Sequence, residues 1–246
     1  MTVHHNQSKF IDRGIVYPDS DGKPMADNTL QAYWIVMLYN NLKGLFVRKH
    51  VFVAADLFWY PVKGDPNTKV APDVLVVFGR PEGHRGSYKQ WMEDDIPPQV
   101  VFEVLSPSNT HTEMIQKQRF YERHGVSEFI IIDPDTESFV AYESKKGKLM
   151  QVDEHDNPWQ SHQLGIFFEK KDGKLTVSHS DGSKFQTFEE VQSDYTSVIK
   201  EKDALIKEKD SLEVEKNSLL EKNNAAEAEI RRLKERLREL GERLDE

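Results

Sequence analysis

Two apolar runs of strand length each carry a single acid, and that pairing limits what this chain can become. The first is Pro72-Asp73-Val74-Leu75-Val76-Val77-Phe78, and the second is Val100-Val101-Phe102-Glu103-Val104-Leu105, stopped by Ser106-Pro107. β-Branched and aromatic residues dominate both, and Pro or Gly bounds them, which predicts buried strands. A carboxylate inside such a strand is costly unless it is paired or binds a cation. Taken singly, each acid also has a plain structural reading. Asp73 after Pro72 suits a cap or turn, and Glu103 suits a buried ion pair. If the two runs are neighbours in one sheet, the carboxylates converge. A hard cation such as Mg²⁺ takes one or two carboxylates, a backbone carbonyl and waters, leaving positions for phosphate oxygens. Two such acids with a Lys nearby point to a metal site for phosphodiester chemistry.

Around these runs the chain alternates. Residues 1–26 are polar and rich in Asp, Gly and Pro, and read as an arm, including His4-His5, with one short edge strand near Ile15-Val16-Tyr17. Asp27 or Asn28 is placed to cap a helix whose apolar residues are Leu30, Trp34, Met37, Leu38 and Leu42, with Gly44 at its end. Leu45 to Tyr60 contains a strand with Asp56 inside it, either a bulge or strand-end residue or an accessory acid. The connection from Gly79 to Trp91 is too long for a turn, and such loops are often functional. Its Arg80, His84, Arg85 and Lys89 either meet a phosphate backbone or are solvated charges. Residues 110–124 have helical spacing, with Met114, Ile115, Gln118 and Tyr121 on one side, Glu113 one turn before Lys117, and Gly125 as the C-cap. Glu128-Phe129-Ile130-Ile131-Ile132 is a buried strand, and Phe139 to Tyr142 its hairpin partner. Short strands near Leu149, Ile166 and Leu175 complete a sheet. This order predicts a mixed α/β core with an antiparallel extension.

The segments Ala71-Pro72-Asp73-Val74, Glu103-Val104-Leu105-Ser106-Pro107-Ser108, Lys117 with Phe120-Tyr121, and Gly125-Val126-Ser127-Glu128-Phe129 ahead of Asp133-Pro134 form an ordered set. Together they resemble the PD-(D/E)xK nucleases. The fuller match is to the Uma2 branch, also called DUF820, a family of restriction-endonuclease type abundant in cyanobacteria. The resemblance spans roughly residues 20 to 145. It implies a restriction-endonuclease-like mixed sheet flanked by helices and an endonuclease that hydrolyses DNA with Mg²⁺ (or Mn²⁺). Asp73, Glu103 and the carbonyl of Val104 would hold the metal, and Asp73, Glu103 and Lys117 would be catalytic. The superfamily's lysine would stand two residues after Glu103, where this chain has Leu105. In relatives that lack it, a lysine of the following helix takes the role, and Lys117 fits. The superfamily also often draws an acid from the first helix, where this chain offers Gln31 or Asp27. Gln31, Asp56 and Glu113 are thus accessory candidates, and Arg80, Arg85 and Lys89 candidate DNA contacts.

The C-terminal quarter differs in character. Thr187-Phe188-Glu189-Glu190 has the spacing of a capping box. Val198, Leu205, Leu212, Leu219, Ala226, Leu233 and Leu240 then recur every seven residues. Tyr195, Lys202, Lys209, Lys216, Asn223, Ile230, Leu237 and Leu244 occupy the other seam position. This is a coiled-coil pattern, and the polar a positions favour a dimer over higher states. A helix of this length reaches on the order of 80 Å. Residues 196–246 hold 12 Lys or Arg against 14 Asp or Glu, so the segment is neither a basic arm nor an acidic tail. The expected organisation is an arm over 1–26, a nuclease-like domain over 27–185, and a dimerising coiled-coil helix over 186–246.

Composition narrows the alternatives. The 246 residues include no cysteine, which excludes disulfides and thiolate zinc sites and fits the cytoplasm. The start has neither the basic nor the apolar region of a signal peptide, and no apolar run approaches a membrane span. The net charge of −9 argues against a non-specific nucleic-acid coat. No GxSxG, Walker A or HExxH pattern is present. Two other classes remain beside a metal-dependent endonuclease. One is a catalytically degenerate nuclease fold that binds nucleic acid or protein. The other is a coiled-coil interaction module with the globular part as its platform.

Overall fold

The computed structural model describes residues 9–22, 24–153 and 157–242, with side chains in the last helix described through residue 239. His4, His5 and Leu244 lie outside these residues. The chain divides into two compact units, Met1–Thr187 and Phe188–Glu246.

The first unit runs β1 (Lys9–Asp12), β2 (Ile15–Pro18), α1 (Thr29–Leu45), β3 (Val51–Ala55), β4 (Trp59–Tyr60), β5 (Val74–Phe78), β6 (Tyr88–Lys89), β7 (Val100–Val104), α2 (His111–Arg123), β8 (Glu128–Asp133), β9 (Ser138–Lys145), β10 (Lys148–Gln151), β11 (Trp159–Gln160), β12 (Phe167–Lys171) and β13 (Lys174–Ser178). Six strands form the central sheet in the order β10-β9-β8-β7-β5-β3. β7 and β8 are parallel and every other neighbouring pair is antiparallel. A parallel pair needs a crossover, and α2 supplies it.

Alternation along the strands divides the core in two. Val51, Val53, Val74, Val76, Val100, Phe102, Val104, Ile130 and Ile132 pack with α1 and with Phe168, Leu175 and Val177 of the second, three-stranded sheet. Phe52, Ala54, Leu75, Val77, Val101 and Phe129 pack on the other face with Trp59, Tyr88 and Tyr121 of α2. Asn28 caps α1 by accepting from Gln31 N–H at 2.8 Å. The helix buries Trp34, Ile35, Met37, Leu38 and Leu42, whereas Leu30 stays exposed. It also runs through Gly44 to Leu45, because Phe46 is buried and its N–H closes the final turn on Leu42 and Gly44 carbonyls.

Lys9–Pro18 form the antiparallel hairpin β1–β2. Tyr17 is fully buried, its ring edge-on to Tyr60 at 5.3 Å and beside Trp91 at 5.2 Å. The two-residue strands β4 and β6 pair in parallel next to this cluster. Asp19 follows the hairpin and accepts from Ser87 Oγ at 2.5 Å, with Lys89 Nζ at 3.5 Å. Gly86 makes that approach feasible: a Cβ there would fall 2.6 Å from Asp19 Cγ.

The second unit is the helix α3 (Phe188–Glu242), whose described side chains are all exposed. Among the described residues, no helix is long and apolar enough to cross a membrane.

Because Asp19 is pinned by Ser87 and Lys89, it cannot swing away from a new methyl group. Gly86→Ala is therefore expected to cost roughly 1–3 kcal/mol, as overpacking does. Urea unfolding checks it, and an unchanged midpoint would mean that the hairpin yields freely.

Candidate active site

Strand register brings the two acids together. Val74 of β5 lies opposite Phe102 of β7 and Ala55 of β3. One step further along the same rows, Asp73 stands opposite Glu103 on one side and Asp56 on the other. Val74 and Phe102 face the α1 side, so their neighbours Asp73 and Glu103 face α2.

α2 reaches Glu103 with two side chains one turn apart. Thr110 caps the helix, its Oγ1 accepting from Glu113 N–H at 3.2 Å, and Gly125 leaves it at φ +89. Lys117 Nζ donates to Glu103 Oε2 at 2.7 Å. Tyr121, fully buried, donates its hydroxyl to Glu103 Oε1 in a short hydrogen bond. The Tyr121 ring is itself fixed, stacked on Trp59 and 5.0 Å from Phe129. Glu103, 2% exposed, thus has a donor on each oxygen.

Asp73 is held differently. Its Oδ2 accepts from Val104 N–H at 2.6 Å. The carbonyl of Val104 accepts from Gln31 Nε2 at 2.8 Å, and Gln31 Oε1 accepts from Asp27 N–H at 2.8 Å. The Asp27 carboxylate in turn accepts from Ser106 Oγ at 2.7 Å and from Ser108 Oγ. The start of α1 is therefore tied to the end of β7 through Val104 and the Ser106-Pro107-Ser108 turn.

The electrostatics follow from this packing. Burial, reinforced by the Glu103 carboxylate, pushes the Asp73 carboxyl up to about 8. Burial also raises Glu103, against the pull of Lys117 and Tyr121. Burial works against the Lys117 charge, but Glu103 outweighs it and the net shift is upward. Burial and Glu103 drive the Tyr121 hydroxyl well above its ordinary range, which keeps it a donor. The two acids thus repel each other, and a single ammonium serves both. Asp56 stands exposed at the strand end with φ +47, within electrostatic reach of Asp73. Glu113 lies on the first turn of α2, within electrostatic reach of Glu103 and Lys117.

The basic residues of the 79–91 connection lie elsewhere. Arg85 forks onto Glu93 through Nε at 2.7 Å and a terminal nitrogen at 3.2 Å, and covers the Phe52 ring at 3.9 Å. Arg80 pairs with Glu93 at 3.3 Å and with Asp94. Lys89 is buried against Ser87, Asp19 and the Phe10 ring. All three charges are met within the chain.

The donor set fits a hard cation. It consists of two carboxylates with too little positive charge around them and a neutral carbonyl that retains a lone pair. Among the described residues no three or more Asp, Glu or His side chains form a ready-made cage.

The Uma2 family model, described as "Putative restriction endonuclease", matches residues 21–178. This chain belongs to the Uma2 family. Its sheet, with α1 and α2 on opposite faces, is restriction-endonuclease-like, and the matched span holds every residue of the site described above while leaving α3 outside. Among solved structures, a crystal structure titled as a "putative nuclease belonging to DUF820" from Anabaena variabilis ATCC 29413 is similar at 18% identity and TM-score 0.44, over 63% of this chain and 82% of that one. No curated protein matches the chain. In this Uma2 protein, Tyr121 was legible in the sequence as an apolar-face residue of an amphipathic helix and as part of the family-like segment around Lys117, but not as a donor to Glu103. The signal for its second task was its position four residues after Lys117, on the same helix face.

Without metal, the Asp73 shift carries a stability signature. The native state holds this proton more tightly than the unfolded chain does. The stabilisation is complete below the ordinary Asp range near pH 4 and is lost as pH rises toward about 8. Asp73→Asn cannot titrate. Its stability relative to wild type in chelator is expected to rise from about pH 5 to about pH 8, by on the order of 1 kcal/mol or more. Urea midpoints at both pH values measure it, and a flat difference would show that the carboxyl is not strained.

Proposed function

We propose that this protein is a divalent-metal-dependent endonuclease that hydrolyses DNA phosphodiester bonds at the Asp73–Glu103 pair. The observation that carries the reading is the convergence of two carboxylates, Glu103 met by Lys117 and Asp73 under-compensated, on one sheet face. Family membership supports the same chemistry. Asp73, Glu103 and the Val104 carbonyl would hold Mg²⁺ or Mn²⁺. Such an ion supplies Lewis acidity toward a phosphoryl oxygen and acidifies water.

The protein's own residues do the rest. Tyr121 and Lys117 fix both oxygens of Glu103, so the carboxylate plane is set before substrate arrives. Gln31 fixes the Val104 carbonyl in the same way. The Lys117 charge is partly exposed, at 21% against 2% for the Glu103 side chain. Its ammonium is suited to offset the charge that builds on a phosphoryl group in the transition state.

One observation favours the second reading, a degenerate nuclease fold that binds without cutting. Arg80, Arg85 and Lys89 are all engaged within the chain, so these cations of the 79–91 connection are not free to meet a phosphate backbone. The experiment is a Mg²⁺ and Mn²⁺ titration of wild type and Asp73→Ala by calorimetry, followed by cleavage of supercoiled and linear DNA. Wild type is expected to bind one ion and to cut only with it, and Asp73→Ala to do neither. Lys117→Met is expected to retain binding and lose about 10²-fold or more in rate. Metal binding without any cutting would select the degenerate fold, and no binding would reject both the metal site and the enzyme.

A further inference from the structure

We propose that α3 pairs with α3 of a second copy, in parallel and in register, as a two-stranded coiled coil whose lysine layers are neutralised by glutamates of the other chain. The apolar positions of the helix repeat as a and d and are exposed, among them Val198, Leu205, Leu212, Leu219, Leu233 and Leu237. A helix with such a stripe buries it against another element. Three observations identify that element as the same helix running the same way.

The first is a recess on the surface of α3, lined by Leu212, Glu215, Lys216, Leu219, Leu220 and Asn223. Leu212, Glu215, Lys216 and Leu219 occupy successive d, g, a and d positions. Those four positions form the hole that receives an a-position knob in a parallel pair. The incoming knob would be Lys216 of the second copy. Its methylene stem would fill the apolar part while its ammonium reaches Glu215 at the rim.

The second observation is that this arrangement repeats. Lys202, Lys209 and Lys216 each follow a glutamate at g, namely Glu201, Glu208 and Glu215. In a parallel in-register pair each lysine lies beside the other chain's glutamate, which gives six neutralising contacts over three heptads. Further along, Lys222 faces Glu227 and Glu229 faces Lys234 across the seam, against one like-charge pair, Glu208 with Glu213. The third observation is the segregation of layers. An antiparallel pair centred on the helix would set Lys202 against Leu233 and Lys209 against Ala226. The parallel pair keeps Ile230, Leu233, Leu237 and Leu240 as one apolar block. Asn223, a single asparagine at a, is the residue type that fixes register in such dimers.

A parallel pair places Thr187 of both copies at the same end of the coil. That suits paired cuts in the two strands of one duplex, a consequence that alone rests on the proposed nuclease activity.

The 246 residues contain no cysteine, so one introduced at Lys200, an outer position, can carry a spin label without background. With helix axes roughly 10 Å apart, the two labels of Lys200→Cys are expected within about 30 Å of each other. A separation of roughly 60 Å would show an antiparallel pair and overturn the proposal. Two charge variants test the contacts. One carries Glu201→Lys, Glu208→Lys and Glu215→Lys, the other Lys202→Glu, Lys209→Glu and Lys216→Glu. Each alone is expected to associate at least about tenfold more weakly than wild type, and an equimolar mixture to recover as a heterodimer. Variants that self-associate like wild type, a mixture that fails to recover, or wild type that scatters as a monomer at tens of micromolar would each overturn it.

Discussion

An ionised carboxylate at a 2% exposed position costs several kcal/mol unless its surroundings answer it, and Glu103 is such a position. The answer comes from one helix. Lys117 takes one oxygen and Tyr121 the other, so α2 cannot shift along its axis without unpairing a buried charge. Tyr121 in turn is packed between Trp59 and Phe129. The electrostatic requirement of one glutamate therefore fixes a helix, an aromatic cluster and the crossover between β7 and β8. Asp73 receives a backbone N–H but no cation of its own, and its carboxyl rises accordingly. The site is over-determined at Glu103 and under-compensated at Asp73, which is the asymmetry that a divalent ion would relieve.

The other face of the sheet contributes through backbone groups. Val104 offers its N–H to Asp73 and its carbonyl to Gln31, so a residue with an apolar side chain links the acid to α1. Superfamily resemblance raised an acid in the first helix as a candidate ligand. Here α1 supplies an amide that orients a carbonyl, and an aspartate whose carboxylate is occupied by Ser106 and Ser108. These contacts give the Ser106-Pro107-Ser108 turn a task. It clamps the start of α1 over the end of β7.

The features legible in the sequence were those set by local pattern. Apolar runs located the central strands, and helical spacing located α1, α2 and α3. What the sequence left open or misplaced shares one cause, since partners distant in sequence decide side-chain fate. Arg80, Arg85 and Lys89 read as a basic loop because their charges are visible and Glu93 and Asp19 give no sign of claiming them. Leu30 was placed in the core of α1, where Ile35 is the buried residue, because a three-and-four spacing admits more than one face. The pairing of β4 with β6 has too few residues to show any period. Gly44 failed as a helix stop because a buried Phe46 made the extra turn worthwhile.

In the proposed site the lysine is supplied by α2, and position 105, just past β7, is Leu. A residue at 105 follows Glu103 on the same face, so a lysine there would reach the carboxylate along the sheet surface. Its ammonium would then depend only on the strand. On α2 the ammonium depends on how the helix docks, because Lys117 and Tyr121 approach Glu103 as a pair spaced by one helical turn. Any change that tilts α2 moves both donors together. With the lysine on the helix, position 105 is released from charge and carries an apolar side chain, while its N–H bonds the Ile132 carbonyl at 2.8 Å, two residues past the acid. The helix placement thus gains a donor pair of fixed geometry. In exchange, the position of the ammonium becomes a property of the whole aromatic cluster of Trp59, Tyr121 and Phe129 rather than of one side chain.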